Sequence, residues 1–233
     1  MGNPASKRII RKLDLERFLS QIKPHPSPQA SLEQYTVSET VAATVLYLAA
    51  YANDDVIGKK VLDLGCGTGR LGLAAAYLGA KLVVGIDIDK TAINTASENS
   101  EKTGVKNNVQ WIIGDIDAVT GSFDTVLQNP PFGVQKRAAD RKFLEKTLEV
   151  GNVVYSLHNH PHIDKLLMKR LKANPESLLQ VAPSAFIEKF VKSHHGNVKA
   201  VYAMPMTIPR MFNFHTKMKH NFIVDLYLIK KSY

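Results

Sequence analysis

Asn129-Pro130-Pro131-Phe132 is the run in this sequence with the most specific chemistry. Two consecutive prolines lack N–H donors and stiffen the chain, so the Asn129 side-chain oxygen and the Pro130 carbonyl can be held as fixed, adjacent acceptors. Paired acceptors suit an NH2 group. An adenine amino nitrogen is a poor nucleophile because its lone pair is delocalised into the ring. Accepting hydrogen bonds from both of its hydrogens returns electron density to nitrogen and aims the lone pair at an electrophile. Phe132 offers a face on which a planar substrate can stack. The plain alternative is a proline-stiffened turn with Asn129 as a cap.

A second group of residues reads as a small-molecule cradle. In Asp63-Leu64-Gly65-Cys66-Gly67-Thr68-Gly69, three glycines at alternate positions let backbone pass close to a ligand. Gly67, Gly69 and Gly72 also spell G-x-G-x-x-G, a dinucleotide fingerprint that is weak alone. Asp87 follows about 20 residues later, where a carboxylate can accept hydrogen bonds from both hydroxyls of a ribose. Asp115, in Gly114-Asp115-Ile116, stands where a third loop meets the base of that nucleoside. Either carboxylate alone reads equally well as a turn former or a helix cap. The ordered set of loops is what points to a nucleoside-containing cofactor, and Asn129 to Phe132 favours an amine-modifying enzyme over a nicotinamide one.

These residues must be brought together by a framework. From residue 60 the pattern alternates short apolar strands and helices: strands over 61–64, 82–86, 109–113, 124–128 and 153–157, with helices over 71–78, 91–103 and 143–150. This rhythm predicts a parallel α/β sheet covered on both faces, with ligands beyond the carboxyl ends of its strands. Helices over 163–173 and 185–194 follow, then strands over 198–204 and 222–229 separated by a turn-rich stretch over 205–220. The expectation is a mostly parallel seven-stranded sheet with an antiparallel C-terminal strand. Residues 1–58 read as a helical segment packed on a catalytic domain spanning 59–233, together one compact unit. It has an amphipathic helix ending near Leu19 and a second helix over 38–51, with Ser38 or Thr36 as its cap.

Charge separates the two parts of the chain. Residues 1–133 carry 13 Lys+Arg against 14 Asp+Glu, whereas residues 134–233 carry 17 against 7, a surplus of +10 within the total of +9. A basic surface there suits a polyanion such as nucleic acid, or is simply a lysine-rich solvated face. Lys136, Arg137 and Arg141 directly follow the Asn-Pro-Pro-Phe run, in a segment that can close over substrate phosphate. The single cysteine, Cys66, makes no internal disulfide, and no CxxC zinc pattern occurs, which fits a reducing cytoplasmic compartment. No run of about 18 apolar residues implies a membrane span, and the start has no export-signal pattern. His158, His160 and His162 alternate, yet no acidic or cysteine partner accompanies them in sequence, so they read as surface or RNA-contacting histidines rather than metal ligands.

The motifs resemble those of the Rossmann-like, class I S-adenosylmethionine methyltransferases. Leu32-Glu33-Gln34-Tyr35, Asn129 to Gly133, Val154-Tyr155-Ser156-Leu157-His158 and Phe214-His215 extend the likeness to the methyltransferase-like-five family, from about residue 8 to the C-terminus. That family is linked to N6 methylation of an adenine in small-subunit ribosomal RNA. The resemblance implies S-adenosylmethionine as cofactor, contacted by Gln34, Gly65, Gly67, Thr68, Arg70, Asp87, Ile88, Asp115, Ile116 and Asn129. It implies Asn129, Pro130, Pro131 and Phe132 as the catalytic group, with His215 among the substrate contacts, RNA as partner, and a small zinc-ribbon activator protein at the edge formed by strand 109–113. Thr36-Val37 stands where the family commonly has Pro-Thr, and the region from about 174 to 195 is longer than in eukaryotic members.

The reaction expected is direct in-line transfer of a methyl group from sulfonium to nitrogen, with position and hydrogen-bond acceptors as the protein's main contribution and no metal or general base. A glutamine amide in a protein would need the same paired acceptors and is the alternative substrate. A DNA adenine is third, and a non-catalytic RNA-binding protein that retains cofactor is the non-enzymatic reading.

Overall fold

Strands in the middle of a parallel sheet are covered on both faces, and in the central strands even Asp63, Thr125 and Gln128 are buried. The computed structural model describes residues 9–132, 139–161, 164–174, 178–209 and 219–232. Its strands are β1 (Lys60–Leu64), β2 (Leu82–Asp87), β3 (Val109–Ile113), β4 (Phe123–Gln128), β5 (Gly151–Asn159), β6 (Leu179–Gln180), β7 (Gly196–Pro209) and β8 (Lys219–Lys231). They form one sheet in the order β3-β2-β1-β4-β5-β8-β7-β6. The first five are parallel neighbours, β8 is antiparallel to β5, and β7 and β6 continue the antiparallel pairing.

The sheet has eight strands among the described residues where seven were expected. The extra one, β6, pairs only Leu179 and Gln180 with Ala203 and Tyr202, too short to leave a period-2 signature. β7 and β8 also reach further than their apolar cores, into the stretch read as turns: Met206 pairs with Phe222 and Thr207 with Asn221. Polar strand ends look like loops in sequence. Residues 210–218, which include His215, lie outside the described residues.

The helices are α1 (Lys12–Leu19), α2 (Glu39–Tyr47), α3 (Arg70–Tyr77), α4 (Lys90–Lys102), α5 (Ala139–Val150), α6 (Lys165–Ala173) and α7 (Ala185–Ser193). Successive strand residues serve opposite cores. Val61, Leu127 and Tyr155 join a cluster with Leu15 and Leu19 of α1, Leu46 of α2 and Leu73 of α3. Their neighbours Leu62, Val126 and Val154 pack with Leu144 and Leu148 of α5 and Val191 of α7. As expected, Ser38 caps α2, accepting from Val41 N at 3.4 Å. No helix among the described residues is long and apolar enough to cross a membrane.

Strand order reverses between β1 and β4, so their following loops diverge and leave a crevice. The glycine loop follows β1 and Asn129 follows β4, which places both at that switch point. β3 forms a sheet edge, as expected. Trp111 on it turns inward onto Gly69 and Gly85, while Ile112 and Ile113 remain 45% and 50% exposed.

Candidate active site

The crevice deepens into a cavity of about 370 Å³, within the size range of cofactor sites. It is bordered by the loops after β1, β2, β3 and β4, by α5, and by residues 31–37 ahead of α2. Gly69 begins α3 with φ 83°, a left-handed conformation that glycine adopts without strain, and a Cβ there would lie 2.7 Å from the Trp111 ring. A Cβ at Gly65 would likewise meet the Phe143 ring, at 2.6 Å, so α5 closes directly over the glycine loop.

Asp87 is held by backbone. Its Oδ2 accepts from Gly67 N at 2.8 Å and its Oδ1 from Asp89 N at 2.9 Å. Burial raises its carboxyl above the ordinary range, although both hydrogen bonds oppose the rise. Each carboxylate oxygen retains a further lone-pair direction, so a ribose diol can still be accepted. Asp63, buried below, accepts from Gly72 N at 2.7 Å and thereby fixes the start of α3 against β1. Gly67, Thr68, Arg70, Ile88 and Ile116 also line the cavity. Arg70 Nη1 pairs with Glu39 Oε1 at 2.7 Å, and its Nε is buried with no partner among the described residues.

Asp115 faces the far end of the cavity, where Oδ1 accepts from Asp117 N at 3.0 Å and from Lys142 Nζ at 2.8 Å. Lys142 also reaches Asp117 at 2.9 Å. These groups are roughly half exposed, which makes the ion pairs weak in themselves. Lys142 and Phe143 were not singled out from the sequence. They sit in the first turns of α5, which starts at Ala139, four residues before the predicted start. That earlier start also puts Arg141 on a helix rather than in a loop, with its guanidinium 4.6 Å from the Phe186 ring centre.

Asn129 is half-buried and lines the cavity. Its Nδ2 donates to the Tyr35 carbonyl at 3.3 Å, and its Oδ1 is buried with no hydrogen-bond partner among the described residues. A buried acceptor left unmatched costs on the order of 1–3 kcal/mol, so each one calls for an explanation. The amide is therefore oriented with its oxygen available. Pro131 lines the cavity with it, and Phe132 stands edge-on to Phe222 at 6.0 Å. Lys136 and Arg137 lie outside the described residues.

His158 and His160 are not exposed surface groups. His158 is buried, with Nε2 2.7 Å from Ser156 Oγ, and burial lowers its imidazole to about 4. His160 does have an acidic partner, supplied from β8 rather than from nearby sequence: its Nδ1 lies 2.8 Å from Asp225 Oδ2. His162 lies outside the described residues. Among the described residues no group of three or more His, Cys, Asp or Glu is arranged to hold a metal ion.

The family model of the methyltransferase domain matches residues 56–199. An uncharacterized protein of Methanocaldococcus jannaschii is 37% identical over 235 residues, 96% of this chain and 95% of that one. The rRNA N6-adenosine-methyltransferase Mettl5 of Drosophila melanogaster is 39% identical over 156 residues, 64% of this chain and 72% of that protein. The crystal structure of a candidate RNA methyltransferase from Pyrococcus horikoshii superposes with a TM-score of 0.79 at 36% identity, covering 97% of this chain and all of that one. The chain belongs to the methyltransferase-domain family and, within its Rossmann-like S-adenosylmethionine-dependent enzymes, to the methyltransferase-like-five group.

Proposed function

We propose that this enzyme methylates N6 of an adenine in small-subunit ribosomal RNA, acting in the cytoplasm as one catalytic unit with residues 1–58 packed on 59–233. The observation that carries this reading is the buried Oδ1 of Asn129, without a partner among the described residues, beside a cavity of about 370 Å³. S-adenosylmethionine supplies a methyl group on a positively charged sulfur, and the sulfur keeps the bonding electron pair as the methyl moves to nitrogen. Asp87 holds the cofactor ribose, Asp115 the adenine edge, and Ile88 and Ile116 border the adenine. Gly65, Gly67, Thr68 and Arg70 enclose the methionine part, and Gln34 borders the same space. Asn129 Oδ1 and the Pro130 carbonyl accept from the target amine, Pro131 stiffens that loop, and Phe132 stacks on the base. The amine becomes more acidic as it alkylates, so its proton leaves late, to solvent or through these acceptors.

RNA is favoured over a glutamine side chain by the basic surplus of residues 134–233. Lys136, Arg137, Arg141 and His215 are proposed to contact the RNA around the target, which must leave its stack to enter the site. The half-exposed Ile112 and Ile113 on the β3 edge support pairing there with a small zinc-ribbon activator. The test is transfer of a labelled methyl group into ribosomal RNA, followed by nucleoside analysis. Label in N6-methyladenosine, falling steeply as salt rises from about 50 to 200 mM, supports the proposal. Label only in methylglutamine of a protein digest, or none in either, overturns it.

A further inference from the structure

Residues 24–37 form a strap beside the cavity, with His25 and Ser31 to Val37 in its lining, and the strap is fastened at two places. At the first, Asp89 Oδ1 caps α4 through Thr91 N at 2.7 Å, leaving Oδ2 to face the strap. Oδ2 accepts from Gln34 Nε2 at 2.8 Å and lies 3.1 Å from His25 Nε2, with the His25 and Asp89 side chains both almost fully buried. Ser27 N donates to His25 Nδ1 at 3.1 Å, so the ring proton is on Nε2 and points at Asp89. Gln34 Oε1 accepts from Gln29 N at 2.7 Å. Both ends of the Gln34 amide are thus engaged by protein, although the family likeness gives this residue a cofactor contact.

The next residue makes the second attachment. A tight turn through Glu33, with φ 49° and Tyr35 N donating to Glu33 O at 2.7 Å, presents the Tyr35 carbonyl to Asn129 Nδ2. A carbonyl only accepts, so it selects the carboxamide orientation that turns Nδ2 toward the strap and Oδ1 toward the site. The opposite orientation would set an NH2 donor against the donor hydrogens of the target amine. At 3.3 Å this bond is near the long end of hydrogen-bond geometry, so a small drift of the strap breaks it.

We propose that Gln34 and His25 are positioning residues for methyl transfer: by latching the strap to Asp89 they keep the Tyr35 carbonyl where it orients Asn129. This rests on the proposed use of Asn129 as acceptor. Gln34→Leu is expected to lower kcat about tenfold at saturating S-adenosylmethionine and RNA, while calorimetric cofactor Kd changes by less than about threefold. His25→Leu should behave alike, and His25→Gln, which returns a donor to Asp89, should recover most of the loss. In the free protein, the side-chain amide NMR signals of Asn129, identified by their absence in Asn129→Asp, should shift in Gln34→Leu and His25→Leu but not in His25→Gln. The amide signals report on the latch even if wild-type protein methylates no RNA. A raised Kd with unchanged kcat would make Gln34 a cofactor contact alone, and unmoved Asn129 signals in both leucine variants would overturn the latch.

Discussion

The loops after β2 and after β4 border one cavity and are finished in opposite ways. Each Asp87 carboxylate oxygen is already held by one backbone N–H group before any ligand arrives. Asn129 has its amide nitrogen held and its oxygen left open among the described residues. A binding group profits from rigidity, because geometry held in advance does not have to be ordered when the ligand enters. A group acting on the transition state profits from an interaction completed only during reaction, since binding energy realised earlier does not accelerate the chemical step. Under the proposed mechanism the unmatched acceptor belongs to the second kind.

The largest effect should come from the open acceptor. Asn129→Ala is expected to reduce turnover a hundredfold or more, of order ~3 kcal/mol by analogy with lost oxyanion-hole donors, with cofactor affinity nearly intact. Steady-state kinetics beside calorimetry would show it, and normal turnover would remove the contrast between the two loops. Asp87→Ala should do the reverse, weakening S-adenosylmethionine and its demethylated product by roughly 1–3 kcal/mol. Unchanged affinity in a folded variant would mean the β2 loop does not hold the ribose.

A third substitution separates the cradle from its support. Gly85 lies under the Trp111 ring with no space for a Cβ, so Gly85→Ala should cost about 1–3 kcal/mol in denaturant unfolding. Adding Trp111→Leu should recover part of it. Loss of cofactor affinity without loss of stability would instead make Gly85 a ligand-side residue.

The smallest effects are in pH dependence, again opposite on the two sides. Burial lifts the Asp63 carboxyl to about 7, against the Gly72 hydrogen bond and with help from Asp87. Asp63 therefore binds its proton more tightly when folded, and its contribution is full below about 3.9 and lost as pH rises toward 7. His158, buried near β4 and β8, has its imidazole lowered to about 4, so its contribution is present above about 6.5 and lost as pH falls toward 4. Denaturation curves across this range should flatten on the first slope in Asp63→Asn and on the second in His158→Gln. Parallel slopes in wild type and both variants would show that neither group is linked to folding.

Local sequence determined much of this protein. Glycines that permit left-handed turns, prolines that stiffen Asn129, and the alternation of apolar strands with helices all act within a few residues of themselves, so their consequences were readable. The parallel core and the glycine, Asp87 and Asn129 loops follow from that. Tertiary structure alone decided which groups meet across the chain. Nothing near His160 announces Asp225, 65 residues away on an antiparallel strand. The two-residue β6 has no period, and the reach of Lys142 to Asp115 depends on where α5 begins. The Tyr35 carbonyl, which any residue type would supply, becomes specific only because the fold sets it 3.3 Å from Asn129. Backbone groups carry no signature in the side-chain code, so the contact that orients Asn129 could not be read from the sequence.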